Sequence, residues 1–422
     1  MQRLLMLSLP FERGLRAWLD GQSIPGTPSI FLLAERLAVR GVEVLWLMLD
    51  WTGPLPGGSH VHRRGSITIQ VVPKPTGRLT TFLDSSERGF LHRLLKPFDF
   101  LKLRRETRAA AERFHPDAIY SVGIYSLLGT PLARRLGIPA ITRMLGVFLG
   151  GHLDRWWKPV ITWNEIVTLL VKPDLLIITN DGTRGDRVAE RFGIPPERFW
   201  FPVNGVDATM LPLPGDRDRV RARIGVGDEE PVVISVGRLV AWKRMDRVIT
   251  AFAQASRGIR GAGRLLLAGD GPEQAALEAH ARRLGVAGSV EFLGNVPRAA
   301  IREYLAAADI AAFAYEHSNV GSALLEAMRA GKAILTIANG DTPRFVEHGV
   351  SGLLAGEATA DDELCLLMAR LFSDAAARAR LAHGAAAWAE AHLPSWTERM
   401  DRECAILEGL VTTGRPAAAR AA

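Results

Sequence analysis

Short β-branched apolar runs alternate with longer amphipathic segments almost from end to end. That is the pattern of parallel sheets covered by helices on both faces. In the first half, strands are predicted at Leu4–Leu9, Val42–Leu49, Ile67–Val72, Ala118–Ser121, Ala140–Arg143 and Leu175–Thr179. Helical periodicity falls between them, as at Ser29–Arg40 and Glu106–Phe114. Phe199–Pro202 reads as one more short strand before the turn Asn204-Gly205-Val206-Asp207, and Leu211-Pro-Leu-Pro-Gly-Asp216 reads as a linker. The alternation then restarts. Strands are predicted at Val232–Val236, Leu265–Ala268, Val290–Leu293, Ile310–Phe313, Ala333–Ile337 and Gly352–Leu354. Helices are predicted at Lys243–Ser256, Pro272–Leu284, Ala299–Ala307, Gly321–Ala330, Asp361–Phe372, Ala375–Ala391 and Trp396–Leu410. The fold class is α/β, with two doubly wound domains facing across a cleft and ligands at the carboxyl ends of the strands.

A chain of 422 residues exceeds one ordinary core, and its length suggests two or three domains. Two cysteines, Cys365 and Cys404, cannot build a disulfide framework, so a reducing cytoplasm is the expected compartment. No apolar run reaches the roughly 18 residues of a membrane span, and the first ten residues read as a buried strand rather than a secretory signal. The net charge of +7 is unevenly placed. Lys96, Lys102, Arg104, Arg105, Arg108 and Arg113 are interleaved with Phe90, Leu94, Phe98, Phe100, Leu101 and Leu103, and Arg155-Trp156-Trp157-Lys158-Pro159 repeats the mixture. Two readings stand: peripheral contact with an anionic membrane surface, or a core helix with snorkelling basic residues. No nucleic-acid-binding module is recognisable, so no nucleic-acid partner is expected.

The most informative stretch is strand Val232–Val236 running into Gly237-Arg238-Leu239-Val240-Ala241-Trp242-Lys243, with a helical pattern directly behind it. Gly237 lets a ligand approach the backbone, a helix start offers unpaired N–H groups, and Arg238 and Lys243 add full charges. The expected guest is a phosphate or diphosphate; the alternative is a solvated basic turn. Three more turns follow strand ends. Gly269-Asp270-Gly271-Pro272 lacks dinucleotide-fingerprint spacing and reads as an ordinary strand–helix turn. Gly294-Asn295-Val296 exposes backbone that could bond the edge of a base. Ser318-Asn319-Val320-Gly321-Ser322-Ala323 leads to a helix start, where Glu326 lies among apolar neighbours and needs partners. Those partners are either two sugar hydroxyls or a basic residue in a salt bridge.

These motifs together resemble the nucleotide-binding domain of GT-B glycosyltransferases, specifically the retaining family 4 group known as glycosyl transferases group 1. The similarity runs from Asn204-Gly-Val-Asp through Gly237-Arg-Leu…Lys243, Gly269-Asp-Gly-Pro, Phe292-Leu-Gly, Ala308-Asp309 and Leu325-Glu-Ala-Met. It continues to Gly340…Glu347 and Gly349…Gly352-Leu, roughly 150 residues in the family's order. The first domain resembles the family more weakly, through His115-Pro116-Asp117 before a strand.

The resemblance implies a GT-B architecture with an acceptor-binding Rossmann-like domain over 1–206 and a nucleotide-sugar-binding one over 207–395. A helix over 396–411 crosses back to the first domain, and 412–422 form a disordered tail. It implies a retaining transferase that moves a sugar from a UDP-sugar, or a GDP-sugar, to a glycan or lipid-linked acceptor by a front-face reaction without a metal or other cofactor. Arg238 and Lys243 would hold the diphosphate beside Gly237, and Glu326 the ribose hydroxyls. Gly294, Asn295 and Val296 would face the base, and Ser318, Asn319, Val320, Gly321, Ser322 and Ala323 the diphosphate and donor sugar. Gly26 in Pro25-Gly26-Thr27 stands where the family has its glycine-rich loop.

Two departures are visible. Ser318 stands eight residues before Glu326, where relatives carry a glutamate, and Glu316 is out of register with it. After strand Ala140–Arg143 a histidine is missing, so Arg143 would meet a phosphate or acidic acceptor, or else form a salt bridge. Asp181 and Thr183 would touch the acceptor or cap a helix. Asp216-Arg217-Asp218 matches a metal-binding DxD pattern but sits at a helix start, where acids are favoured anyway. The missing glutamate suggests one alternative, a non-catalytic nucleotide-sugar-binding partner subunit; a GT-B epimerase or sugar-phosphate synthase is the other.

Overall fold

The computed structural model describes residues 1–22, 24, 29–51, 58–73, 90–152, 162–257 and 263–413. It divides into two compact units. One comprises Met1–Thr179, Gly185–Pro202 and Thr397–Ala422; the other comprises Asn180–Arg184 and Val203–Trp396. The junction is thus at Pro202/Val203, not in the proline-glycine segment Leu211–Asp216. That segment is a turn of the second unit, where the Asp216 carboxylate accepts the Leu213 N–H and starts the helix Asp216–Ile224.

The first unit is built on an eight-stranded sheet. Its strands are β1 (Arg3–Ser8), β2 (Glu43–Trp51), β3 (Val61–Arg64), β4 (Ile67–Pro73), β5 (Ala118–Val122), β6 (Ala140–Met144), β7 (Leu175–Ile178) and β8 (Phe199–Trp200). Their order is β3-β4-β2-β1-β5-β6-β7-β8, parallel throughout except for the antiparallel edge pair β3–β4. The apolar runs Leu4–Leu7 and Leu175–Ile178 are buried on both faces, as central parallel strands require. The helix Trp396–Thr413 extends two residues beyond the expected 411, and its body belongs to this unit. Asp401 on it receives Arg36 and Arg40, holding its carboxyl down at about 2 through those hydrogen bonds. The basic segment forms one helix, Phe90–Phe114. Leu103, Thr107, Ala110 and Ala111 are buried, while Lys102, Arg104, Arg105, Arg108 and Arg113 are exposed beside Phe100 and Leu101. Residues 153–161, with the second basic-aromatic cluster, and 414–422 lie outside the described residues. Among the described residues no helix is long and apolar enough to cross a membrane.

The second unit carries β9 (Val232–Val236), β10 (Arg264–Ala268), β11 (Val290–Gly294), β12 (Ile310–Ala312), β13 (Ala333–Ile337) and β14 (Leu353–Ala355). All are parallel, in the order β11-β10-β9-β12-β13-β14. The chain winds outward from β9 to β10 and β11, then returns to place β12 on the other side of β9, with Ile310 opposite Val233. The strand order therefore reverses between β9 and β12. In open α/β sheets, ligands settle beyond the carboxyl ends of the strands at this point.

Candidate functional site

Residues following β9 and β12 meet at that reversal. The helix after β9 begins two residues beyond the expected Lys243. Gly237–Val240 lead into a single 3-10 turn, Ala241–Lys243, then Arg244 takes a left-handed conformation and the helix Met245–Ala255 begins. The Arg244 conformation (φ 48°) is costly for a side chain of that size. It is held by hydrogen bonds from its guanidinium to Asp246 in the first helical turn and to Glu316 beyond β12. The consequence is that Lys243 faces back over β9 rather than along the helix.

Lys243 Nζ lies 4.2 Å from the ring centroid of Tyr315, just past β12, and the Tyr315 hydroxyl donates to the Val236 carbonyl at 2.8 Å. A Cβ on Gly237 would stand 2.6 Å from Lys243 Nζ and 2.8 Å from the Tyr315 hydroxyl. A larger residue would push the lysine aside, so glycine keeps this close approach open. Burial pushes the Lys243 ammonium down to about 8, and the neighbouring Arg238 guanidinium pushes the same way. Among the described residues, neither Arg238 nor Lys243 has a carboxylate partner. A half-buried lysine lowered by a neighbouring guanidinium, with no acid between the two among the described residues, forms a site that a bound anion would relieve.

The turn after β10 braces this arrangement. A Cβ on Gly269 would sit 2.0 Å from the Gly237 carbonyl oxygen, and one on Gly271 would sit 2.2 Å from the Leu239 carbonyl oxygen. Leu239 N–H in turn donates to Asp270 and Glu273 N–H to Leu239. The two glycines let one backbone lie directly on the other, which fixes the residues flanking Arg238. After β11, Gly294 adopts φ 64° and accepts the Gly269 N–H, leaving Asn295 exposed and Val296 half-buried.

The turn after β12 divides into two parts. Ser318 and Asn319 are structural. Ser318 Oγ donates to the Asp181 carbonyl at 2.6 Å and accepts the Val320 N–H, seating Gly182 against it. Asn319 is fully buried: its Oδ1 accepts the Tyr315 N–H and its Nδ2 donates to Asn339. Both side chains are thus hydrogen-bonded within the chain, and Val320 is buried as well. Glu316 is exposed and paired with Arg244. The second part, Gly321, Ser322 and Ala323, is half-buried at the start of helix Ser322–Arg329, whose first N–H groups have no intrahelical acceptor. Glu326, 6 % exposed, receives Arg298 Nη2 on Oε1 at 2.8 Å. Burial pushes its carboxyl up, opposed by the charge and hydrogen bond of Arg298.

Other expected site residues fall elsewhere. Arg143 takes the salt-bridge alternative. It is 1 % exposed in the first unit, donating to Thr179 and Glu403, because the strand that carries it is central and both faces are covered. Asp181 Oδ1 accepts both the N–H and the hydroxyl of Thr183, closing the loop before the helix Gly185–Arg191. Asp216 is taken by Leu213, Arg219 and Arg302. Gly26 lies outside the described residues.

Sequence reasoning did not find Arg298 or Tyr315. A trace of Arg298 was present: an arginine following Pro297 opens a helix whose first turn holds no acid, where a cation opposes the helix dipole. A residue in that position has to be held by something else.

Comparison with known proteins places these features. The model of the family described as "Glycosyl transferases group 1" matches residues 216–388. A D-inositol 3-phosphate glycosyltransferase of Acidothermus cellulolyticus is 31% identical over 339 residues, covering 76% of this chain and 72% of that protein. The GDP-mannose-dependent alpha-(1-6)-phosphatidylinositol monomannoside mannosyltransferase of Mycolicibacterium smegmatis is 28% identical over 292 residues, or 67% and 74% of the two chains. Among solved structures, the sucrose-phosphate synthase of Thermosynechococcus elongatus shares the fold with a TM-score of 0.74 at 18% identity, over 97% of this chain and 99% of that one. Anabaena Alr3699/HepE in complex with UDP does so with a TM-score of 0.68 at 20% identity, over 96% and 98%.

Proposed function

The chain belongs to the glycosyl transferases group 1 and has their GT-B fold, and from that premise we propose a retaining, metal-independent transfer from a nucleoside-diphosphate sugar. The observation that carries this reading is the pair Arg238 and Lys243: two cations without acidic partners among the described residues, at the strand-order reversal. In the proposed step the bond between the sugar's anomeric carbon and the phosphate oxygen breaks while the acceptor oxygen bonds to the same face. The acceptor's proton passes to the departing phosphate oxygen. Negative charge grows on the diphosphate as it leaves, and preorganised cations stabilise it most in the transition state. Arg238 and Lys243 would supply the charge that other transferases take from a metal. The N–H groups of Ser322 and Ala323 would add a helix start, and Glu326 would take the ribose hydroxyls.

Two donor classes fit. A UDP-sugar is the expectation from the resemblance, while the mannosyltransferase relative favours GDP-mannose. The acceptor is proposed to be a glycan or a lipid-linked inositol-type polyol. The exposed basic face of Phe90–Phe114, with Phe100 and Leu101 beside it, would bring the protein to an anionic membrane. Incubation with labelled GDP-mannose, UDP-glucose and UDP-N-acetylglucosamine, with and without phosphatidylinositol vesicles and with a chelator present, tests the reading. Turnover of one donor is expected. Binding of donors without hydrolysis or transfer would instead favour a non-catalytic subunit.

The state of Lys243 sets a pH response. The useful form is the ammonium, and its ordinary value is lowered to about 8 by burial and Arg238. Donor kcat/KM, which reports the free enzyme, is therefore expected to fall as pH rises through about 8. A bound diphosphate favours the ammonium, so the matching limb in kcat should lie at higher pH. A kcat/KM flat to pH 9.5 would remove Lys243 from the proposed role.

A further inference from the structure

The Glu326–Arg298 pair is one-sided. Arg298 Nη2 reaches only Oε1, and among the described residues Oε2 accepts no hydrogen bond. Arginine usually grips a carboxylate with both arms of its fork, so a single bond in a nearly buried pair leaves the other oxygen available. The surroundings of the guanidinium are fixed by the backbone. Arg298 follows Pro297 at the first position of helix Arg298–Ala307, and its guanidinium sits 5.9 Å from the buried ring of Trp396. The turn Asn204–Asp207 fixes that ring: Val206 N–H donates to the Pro394 carbonyl, Trp396 N–H to Asp207, and a Cβ on Gly205 would collide with the Trp396 backbone. On the other side, Asn204 Nδ2 donates to Ser322 at the start of the helix that carries Glu326.

We propose that Arg298 is the positioning residue of the nucleoside pocket, holding one oxygen of Glu326 so that the other is presented to ribose hydroxyls. The inference rests on the reading of Glu326 as the ribose carboxylate and adds the group that makes it work. Burial favours a neutral Glu326, and Asp207 pushes its carboxyl further up; Arg298 opposes both. Arg298 and Asp207 are the charged groups facing it. Without Arg298 nothing would oppose burial and Asp207, so the carboxyl would hold a proton more readily and lose acceptor strength. It would also be free to turn from the pocket. Ribose selectivity, rather than diphosphate affinity, is what Arg298 controls.

The test compares dissociation constants for UDP and GDP with those for their 2′-deoxy counterparts, by calorimetry between pH 6 and 8. The native protein should favour the ribose form of its nucleotide about tenfold, with little change over this range. In Arg298→Met that ratio should collapse towards one, and binding of the ribose form should weaken as pH falls. Arg298→Gln keeps a donor without its charge and disturbs packing less, so it should retain part of the ratio but acquire the pH dependence. Glu326→Ala should abolish the ratio at every pH. A collapsed ratio in Glu326→Ala alongside native ratio and pH response in Arg298→Gln would overturn the role of Arg298 alone. An unchanged ratio in Glu326→Ala would overturn the ribose reading itself.

Discussion

Replacing Lys243 by Ala is expected to lower kcat for sugar transfer about 100- to 1,000-fold, and Arg238→Ala to do similar damage, while the fold is kept. Both side chains act on charge that appears as the diphosphate departs. Their loss should therefore fall more on kcat than on donor KM, the signature of an interaction made chiefly in the transition state. Neither residue anchors the fold: Arg238 is exposed, and Lys243 spans from a 3-10 turn to the ring of Tyr315. Lys243→Arg should not restore the rate. The ammonium fits between Gly237 and the Tyr315 ring, where a Cβ on Gly237 would already be 2.6 Å away, and a planar fork is too broad for that gap. Arg238→Ala also removes one of the two causes that lower Lys243, so its remaining activity should persist to higher pH than the native enzyme's. Steady-state rates with the turned-over donor, beside thermal melts to confirm folding, decide the matter. Native kcat in either alanine variant would refute the assignment.

The regular elements were largely legible because a central parallel strand must be apolar on both faces. Val232–Val236 and Ala333–Ile337 have the boundaries their β-branched runs predict. Strand β3 escaped notice for the opposite reason: Val61-His-Arg-Arg is a mostly exposed edge with no apolar alternation. At the site, residue type conveyed charge but not direction. Glu326 and Arg238 could be picked out because buried acids and paired cations need explaining. Ser318, Asn319 and Arg143 could not be sorted from sequence, since a polar side chain facing a ligand and one bonded to a neighbouring loop look alike until the partner is known. Their partners, Asp181, Asn339 and Glu403, lie 137, 20 and 260 positions away. The delay of the helix after β9 from Lys243 to Met245 was hidden as well. It depends on Arg244 taking a left-handed conformation secured by Asp246 and Glu316, a long-range arrangement that overrides local helical preference.

The largest stability effect is expected at Glu403, in the first unit. Its carboxylate accepts Tyr120 Oη at 2.7 Å and Arg399 Nη1 at 2.7 Å, and Arg143 Nη1 lies at 3.5 Å. Arg399 is in turn stacked 4.1 Å over the ring of Trp200. Burial pushes the Glu403 carboxyl up, but the two guanidiniums and the Tyr120 and Arg399 hydrogen bonds outweigh it and hold it below its ordinary value. The cluster ties helix Trp396–Thr413 to strands β5 and β6. Removing the acid leaves two guanidiniums facing each other out of water, which costs far more than the pair itself contributes. Glu403→Ala should therefore destabilise this unit by about 3–5 kcal/mol. Tyr120→Phe, which deletes one hydrogen bond and keeps every charge compensated, should cost about 1–3 kcal/mol. With two units present, a single melting temperature is a poor measure. Limited trypsin digestion is the sharper assay, because Arg399 and Arg402 become cleavable when the helix loosens. Faster cleavage at these sites in Glu403→Ala than in Tyr120→Phe is expected. Equal, native-like protection in both would show that the helix is held by Asp401 with Arg36 and Arg40 instead.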